Sequence, residues 1–127
     1  MTSAKKIILD TNFVLIPAQL NVDIFEEITK TIPGQPGLFI LDKSIKELQK
    51  IAEEQKGALK RQVKLTLELI QAKNVNIIPT EGDESVDNLL VEYAKQGYTI
   101  ATQDKELKQR IGTNIIVLRQ KKKIELK

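Results

Sequence analysis

Short apolar segments alternate with stretches of helical periodicity along this chain, and this alternation restricts its fold more than any other feature. The apolar segments have the length of buried strands, and they lie at residues 6–9, 38–41, 75–78, 98–101 and 115–118. Parallel strands need crossover connections, and helices usually provide them. The pattern therefore predicts an α/β fold with three layers, in which helices cover a central, mostly parallel sheet of about five strands.

The predicted helices follow from apolar residues spaced three and four apart. The clearest set is Val86, Leu89, Leu90, Tyr93 and Ala94, with Gly97 as the stop. The same spacing predicts helices at about 22–28, 45–52, 59–70 and 104–111. Asp42 or Ser44 is expected to cap the second of these. The segment 33–37 holds two prolines and two glycines, which predicts a loop. Because the sequence shows no linker and no internal repeat, residues 1–127 are expected to form a single domain.

The chain contains no cysteine and no histidine. Disulfides, thiolate nucleophiles, Ser-His triads and imidazole-bound zinc are therefore excluded as sources of its chemistry. Any bound metal would need oxygen ligands, which favours Mg²⁺ or Mn²⁺. No apolar run approaches the roughly 20 residues of a membrane span, and the N-terminal apolar stretch is too short for a signal peptide. A cytoplasmic protein without a membrane partner is expected.

Positive charge is concentrated near the C-terminus. The whole chain carries a net charge of +3, but residues 95–127 hold nine Lys and Arg against three Asp and Glu, so the preceding part is acidic. Residues from about 119 to 127 are expected to form a short basic tail. Such an end suits a polyanion, although a solvated lysine-rich tail that only aids solubility would look the same.

Four carboxylates are placed by these elements at one edge of the predicted sheet. Asp10 directly follows the first strand, and Asp104 follows the fourth. Glu47 and Asp87 fall early in their helices. Each could be an ordinary cap or surface charge, but carboxylates that gather repel one another and need a cation. One or two Mg²⁺ or Mn²⁺ ions at this edge could activate water for attack on phosphorus.

Four segments resemble the motifs of the PIN domain family in order and spacing. They are residues 7–12, 44–48, 83–88 and 100–107. The resemblance covers nearly the whole chain and implies a parallel α/β sheet and Mg²⁺- or Mn²⁺-dependent cleavage of single-stranded RNA. It maps the acidic quartet of the family onto Asp10, Glu47, Asp87 and Asp104. It also implies that Thr102 supports the site and that Asn12 is a partner of Asp10 rather than a metal ligand.

Two further segments, 21–27 and 101–111, are most similar to archaeal relatives of the PIN proteins that process small-subunit ribosomal RNA. This similarity implies ribosome-assembly proteins or a pre-ribosomal particle as partners, and dimers are common in the family. That branch often carries a further acid where this chain has Asn88, so the number of metal ions, one or two, is open. Asp83 is a candidate substitute, although residues 82–84 also read as a helix cap with an acidic first turn.

Other acidic α/β proteins fit the residues less well. A haloacid dehalogenase-type phosphatase would need an acid where Asn12 stands, and a receiver domain would need an aspartate closing the third strand. No glycine-rich phosphate loop is present. The remaining alternatives are a PIN-like module that binds RNA or protein without cutting, and a toxin-type PIN ribonuclease. In the nuclease reading, RNA phosphates would be bound by the basic residues Lys105, Lys108, Arg110, Arg119, Lys121, Lys122 and Lys123.

Overall fold

The structure, a computed structural model, describes residues 4–127. Its strands are β1 (Lys6–Leu9), β2 (Gly37–Leu41), β3 (Asn76–Ile78), β4 (Thr99–Ala101), β5 (Ile115–Arg119) and β6 (Lys123–Leu126). They form one sheet in the order β3-β2-β1-β4-β5-β6, and every neighbouring pair is parallel except β5 and β6. The predicted α/β class with a mostly parallel central sheet is confirmed.

Seven helices connect or follow these strands within the described residues. They are α1 (Thr11–Val14), α2 (Ile16–Leu20), α3 (Ile24–Thr31), α4 (Asp42–Glu54), α5 (Ala58–Ala72), α6 (Val86–Lys95) and α7 (Lys105–Ile111). Among these residues, no helix is both long enough and apolar enough to cross a membrane.

The core has two parts, one on each face of the sheet. Ile7 and Leu9 of β1 point into the larger cluster with α1 to α5, while Ile8 between them points into the smaller cluster with α6 and α7. This division follows from the two-residue period of a strand, because successive side chains leave opposite faces. The three-layer arrangement is the result.

The order of the strands determines where on the sheet a ligand is expected to bind, and we call this part the functional edge. The chain runs from β1 outward through β2 and β3, then returns to the other side of β1 as β4 and continues to β5. Strand order therefore reverses between β1 and β4, and ligands of such sheets bind beyond the carboxyl ends of the strands at this point. Leu9 is in register with Ala101, and the Asp10 amide donates to the Ala101 carbonyl at 2.9 Å. The residues that follow β1 and β4 consequently emerge side by side.

The expected C-terminal tail is instead part of the sheet. Strand β5 continues to Arg119, and β6 pairs antiparallel with it, which makes six strands rather than about five. Gln120 and Lys121 form the turn with positive φ angles of 54° and 55°. Ile124 is only 6% exposed and packs into the larger cluster. Strand β6 was not predicted because its turn lacks the glycine or asparagine that usually marks a hairpin. In addition, a single buried isoleucine is too little to show the two-residue period of a strand.

The expected helix caps are also corrected by the structure. Leu41 occupies the N-cap position of α4 without a side-chain hydrogen bond, and Asp42 is the first helical residue. The Asp42 carboxylate accepts hydrogen bonds from the amide and hydroxyl of Thr80 instead, at 3.1 and 2.6 Å. Ser85, rather than residues 82–84, caps α6 by accepting from the Asn88 amide at 3.1 Å. At α4, therefore, the side chain that could cap the helix binds Thr80 instead.

Candidate active site

Asp10 is the most enclosed carboxylate at the functional edge. It is 5% exposed and lies between the end of β1 and the start of α1. Its Oδ2 accepts a hydrogen bond from the Thr102 hydroxyl at 2.7 Å, and its Oδ1 accepts one from the Thr11 amide at 2.8 Å. Two donors fix the orientation of this carboxylate, and one of them comes from the neighbouring strand β4.

Thr102 connects Asp10 to Asp104. The same hydroxyl that donates to Asp10 accepts a hydrogen bond from the Asp104 amide at 3.0 Å, and Thr102 is fully buried. Asp104 in turn caps α7, because its Oδ1 accepts from the Leu107 amide at 2.9 Å. The predicted supporting role of Thr102 therefore has a definite geometry in which one hydroxyl holds two acidic residues in register.

A cavity of about 250 Å³ lies in front of these groups. Its lining consists of Asp10, Thr11, Asn12, Leu15, Glu47, Val86, Asp87 and Asp104. The four carboxylates predicted from the sequence, which come from four different segments, all face this cavity. Glu47 reaches it from the second turn of α4 and Asp87 from the first turn of α6, and both are exposed along its rim.

The carboxylates influence one another electrostatically. Burial raises the pKa of Asp10, and the negative charges of Asp87 and Asp104 raise it further, against the lowering effect of the hydrogen bonds from Thr102 and Thr11. Burial likewise raises the pKa of Glu47, with added repulsion from Asp10 and Asp87. A divalent cation would favour the ionised forms that the protein alone disfavours.

The residues of the cavity fit a hard divalent cation in their chemistry. All candidate ligands are oxygen atoms, and the buried hydroxyl of Thr11 makes no well-formed hydrogen bond among the described residues, although it is near enough to Glu47 to act against the rise in the pKa of that carboxyl. Within residues 4–127, however, no three acidic side chains lie close enough together to hold one ion. The expected single ligand cluster is therefore not formed in this side-chain arrangement.

Among the described residues, neither Asn12 nor Asp83 makes the contact that was expected of it at the site. Asn12 lines the cavity, but its side chain makes no hydrogen bond to Asp10 within the described residues, and Thr102 takes that role. Asp83 is exposed in the loop before α6 and does not line the cavity. Asn88 faces α7, where its Oδ1 accepts a hydrogen bond from Arg110 at 2.7 Å.

The basic residues predicted to bind RNA lie outside the cavity. Lys105 and Lys108 line a separate depression with residues of β5. Arg119 forms an ion pair with Glu125 at 3.1 Å, and residues 121–123 form the turn and start of β6. The structure brings the acids together but distributes these cations over other surfaces.

One functional candidate was missed in the sequence, the Thr11 hydroxyl. It lies directly after the first carboxylate, at the first position of a helix that begins where β1 ends. A hydroxyl at that position is a common helix-start feature, so its place in the cavity lining becomes visible only with the fold.

The family model of the PIN-like domain matches residues 7–121. A solved structure described as the PIN domain endonuclease Utp24 superposes with a TM-score of 0.76 at 26% identity, over 94% of this chain and 88% of that one. A domain of a functionally unknown protein from Methanocaldococcus jannaschii matches with a TM-score of 0.60 at 17% identity, over 91% and 92% of the two chains, which is similarity of fold alone. Comparison with curated proteins gives no match. These findings support a nuclease function in general terms, and the chain belongs to the PIN-like domain family.

Proposed function

We propose that this protein is a Mg²⁺- or Mn²⁺-dependent endoribonuclease that hydrolyses phosphodiester bonds of single-stranded RNA. The observation that carries the proposal is the convergence of Asp10, Glu47, Asp87 and Asp104 on one cavity at the switch in strand order. The similarity to a PIN domain endonuclease over nearly the whole chain supports it.

Asp10, Glu47, Asp87 and Asp104 would hold the ion or ions. A bound ion would supply a water molecule of lowered pKa and would stabilise charge on the leaving oxygen. Asp10 contributes a carboxylate whose direction is fixed by Thr102 and Thr11. Thr102 keeps Asp104 beside Asp10, and Glu47 and Asp87 complete the acidic rim from the opposite side. The chain thus provides oxygen ligands from four segments around one cavity.

Ribosomal RNA is the proposed substrate class, on the similarity of segments 21–27 and 101–111 to the ribosomal RNA-processing branch of the family. A pre-ribosomal particle or its assembly proteins would then present the RNA. Dimerisation and a cytoplasmic location belong to the same proposal and rest on the family and the sequence alone.

The decisive experiment compares cleavage of a labelled single-stranded RNA by the unmodified protein and by Asp10→Asn and Glu47→Gln, with Mn²⁺ and with EDTA. Both variants should fall below about 1% of the unmodified rate, a loss of at least about 2.7 kcal/mol in transition-state stabilisation. Glu53→Gln is the matched control for Glu47, because Glu53 is exposed on the same helix and lies outside the cavity lining. Full cleavage by Asp10→Asn, or cleavage in EDTA, would refute the proposal.

A second candidate is a module that binds RNA or protein without cutting. It is favoured by the finding that no three acids in residues 4–127 are close enough to share an ion. Such a module would bind RNA equally well with Asp10→Asn and would show no metal-dependent cleavage in any form. The same experiment therefore separates the two candidates.

A further inference from the structure

A second cavity, of about 420 Å³, opens beside the carboxylate cavity. It is lined by Lys43, Lys46, Glu47, Lys50, Glu84, Ser85 and Val86, and we call it the α4 groove. Glu47 and Val86 line both cavities, so the two share a wall. A polymer whose reacting group lies at the carboxylates can therefore continue directly into the α4 groove.

Three lysines form a stripe along this groove. Lys43, Lys46 and Lys50 have the spacing i, i+3 and i+7, which places them on one face of α4. Along the helix axis they are about 4.5 and about 6 Å apart, a rise that suits contacts to successive phosphates of an extended strand. Their aliphatic parts can line the groove while the ammonium groups stay at its rim.

Of the three lysines only Lys50 forms an ion pair within the described residues, although the carboxylates of Glu47 and Glu84 also line the groove. Lys43 donates hydrogen bonds to the backbone carbonyls of Gly82 and Glu84, which carry no net charge. Lys46 has no ion pair among the described residues, although its charge contributes to lowering the pKa of Asp42 on the same helix. Lys50 lies 4.0 Å from Glu54, with both side chains largely exposed, and such a pair contributes little. The contacts of Lys43 also tie the loop before α6 to α4, so they fix the opposite wall of the groove.

The basic residues near the C-terminus are less suitably placed. The depression that contains Lys105 and Lys108 shares no lining residue with the carboxylate cavity. Arg119 is paired with Glu125, and Arg110 is hydrogen-bonded to Asn88. Continuity with the carboxylate cavity, together with an excess of three lysines over two glutamates in the lining, favours the α4 groove as the path of a polyanion.

We propose that the α4 groove binds the phosphate backbone of the RNA strand next to the cleavage cavity, with Lys46 and Lys50 contacting two phosphates and Lys43 holding the groove wall. The inference rests on the proposed function, which supplies the RNA, and it replaces Lys105 and Lys108 as the principal phosphate contacts. A binding site made of phosphate contacts carries little sequence preference.

The test measures binding of a fluorescent oligouridylate to the 127-residue chain carrying Asp10→Asn, so that no cleavage occurs, over a range of KCl concentrations. Each lost phosphate contact on a single strand lowers the slope of log K against log salt by about 0.7. K46Q/K50Q should therefore lower the slope by about 1.4 and weaken binding about 25-fold at 0.1 M salt. K60Q/K64Q is the matched control, since these lysines have the same spacing on α5 and lie outside the groove lining. Thermal melts establish that all variants are folded.

The result expected is a loss for K46Q/K50Q, with K60Q/K64Q unchanged and K105Q/K108Q affected little. Unchanged binding by K46Q/K50Q, a larger loss in K105Q/K108Q, or no binding of the oligonucleotide at all would overturn the inference. Tighter binding of an acidic peptide than of RNA at the same lysines would also overturn it. Metal-dependent cleavage by the protein with Asp10 intact is scored separately. Failure of the groove thus leaves the proposed nuclease standing, and absence of cleavage leaves the binding result to decide the groove.

Discussion

Replacing Thr102 with valine removes the hydroxyl that joins Asp10 to Asp104 and keeps the side-chain shape. The Asp10 carboxylate, 5% exposed, then loses a donor at 2.7 Å, and the Asp104 amide loses an acceptor at 3.0 Å. A hydrogen bond to a charged group contributes about 1.5 to 3 kcal/mol, and an amide left unpaired costs about 1 kcal/mol more. We expect Thr102→Val to lower the free energy of unfolding by about 2.5 to 4 kcal/mol at neutral pH.

The matched control is Thr66→Val. Thr66 is as fully buried as Thr102, but its hydroxyl donates only to the Gln62 carbonyl one helical turn earlier, at 2.8 Å. That bond is neutral on both sides, so its loss should cost about 1 kcal/mol. The entropy of unfolding is about 2.1 cal/mol/K per residue, and the chain has 127 residues. Dividing the losses in free energy by this total entropy gives a fall in Tm of about 9 to 15 °C for Thr102→Val and about 4 °C for Thr66→Val.

The pH dependence distinguishes a bond to an ionised carboxylate from simple packing. The Thr102 hydrogen bond lowers the folded-state pKa of Asp10, which burial nonetheless keeps above its ordinary value of 3.8. Without Thr102 that pKa rises further, so the loss in stability grows as pH increases through the folded pKa of Asp10. Urea denaturation at pH 3.5 and pH 8 measures the difference. The reasoning would be refuted by a Thr102→Val loss that is equal at the two pH values, or no greater than that of Thr66→Val.

Two changes away from the cavity have equally definite expected outcomes. Ile124→Ala should lower the free energy of unfolding, measured by urea denaturation, by about 2 to 4 kcal/mol, because the side chain is 6% exposed in the core. The control Lys122→Ala, at an exposed residue, should change it by no more than about 0.5 kcal/mol. Equal effects would mean that β6 does not pack as described. The hydrogen bonds from Thr80 lower the pKa of Asp42, so this residue stabilises the folded state above its unfolded pKa and loses that effect as pH falls through the folded value. The Asp42→Ala variant should therefore be less stable than the unmodified protein at pH 7. In thermal melts the difference in Tm between the two proteins should shrink below pH 3.8. A Tm difference that is constant with pH would contradict this account.

Most helices and strands were predictable because their own residues show a clear local pattern. Buried parallel strands such as β1 and β4 are short apolar runs, and α6 has a complete helical stripe with a serine cap. The two small helices between residues 11 and 20 were missed, since Phe13 to Ile16 are all buried and give no amphipathic period. Strand β6 was missed for a different reason, because its order depends on pairing with β5.

The positions of the acidic residues in the candidate site were predictable, but their side-chain contacts were not. Asp10 and Asp104 follow strands, and in a parallel sheet the ends of strands share an edge, so their neighbourhood follows from the fold class. The contact of Thr102 with both, and the attachment of the loop before α6 by Lys43, depend on side-chain geometry that periodicity does not encode. The separation of the basic residues over several surfaces is likewise a property of the folded chain.

The Thr102 hydroxyl and the Asp10 carboxylate that it holds are 92 residues apart in sequence. During translation, Asp10 is made early, but its partner strand β4 and Asp104 come only in the last quarter of the 127 residues. A nascent chain therefore has an incomplete acidic rim until synthesis passes Asp104. The proposed cleavage activity could begin only after that stage.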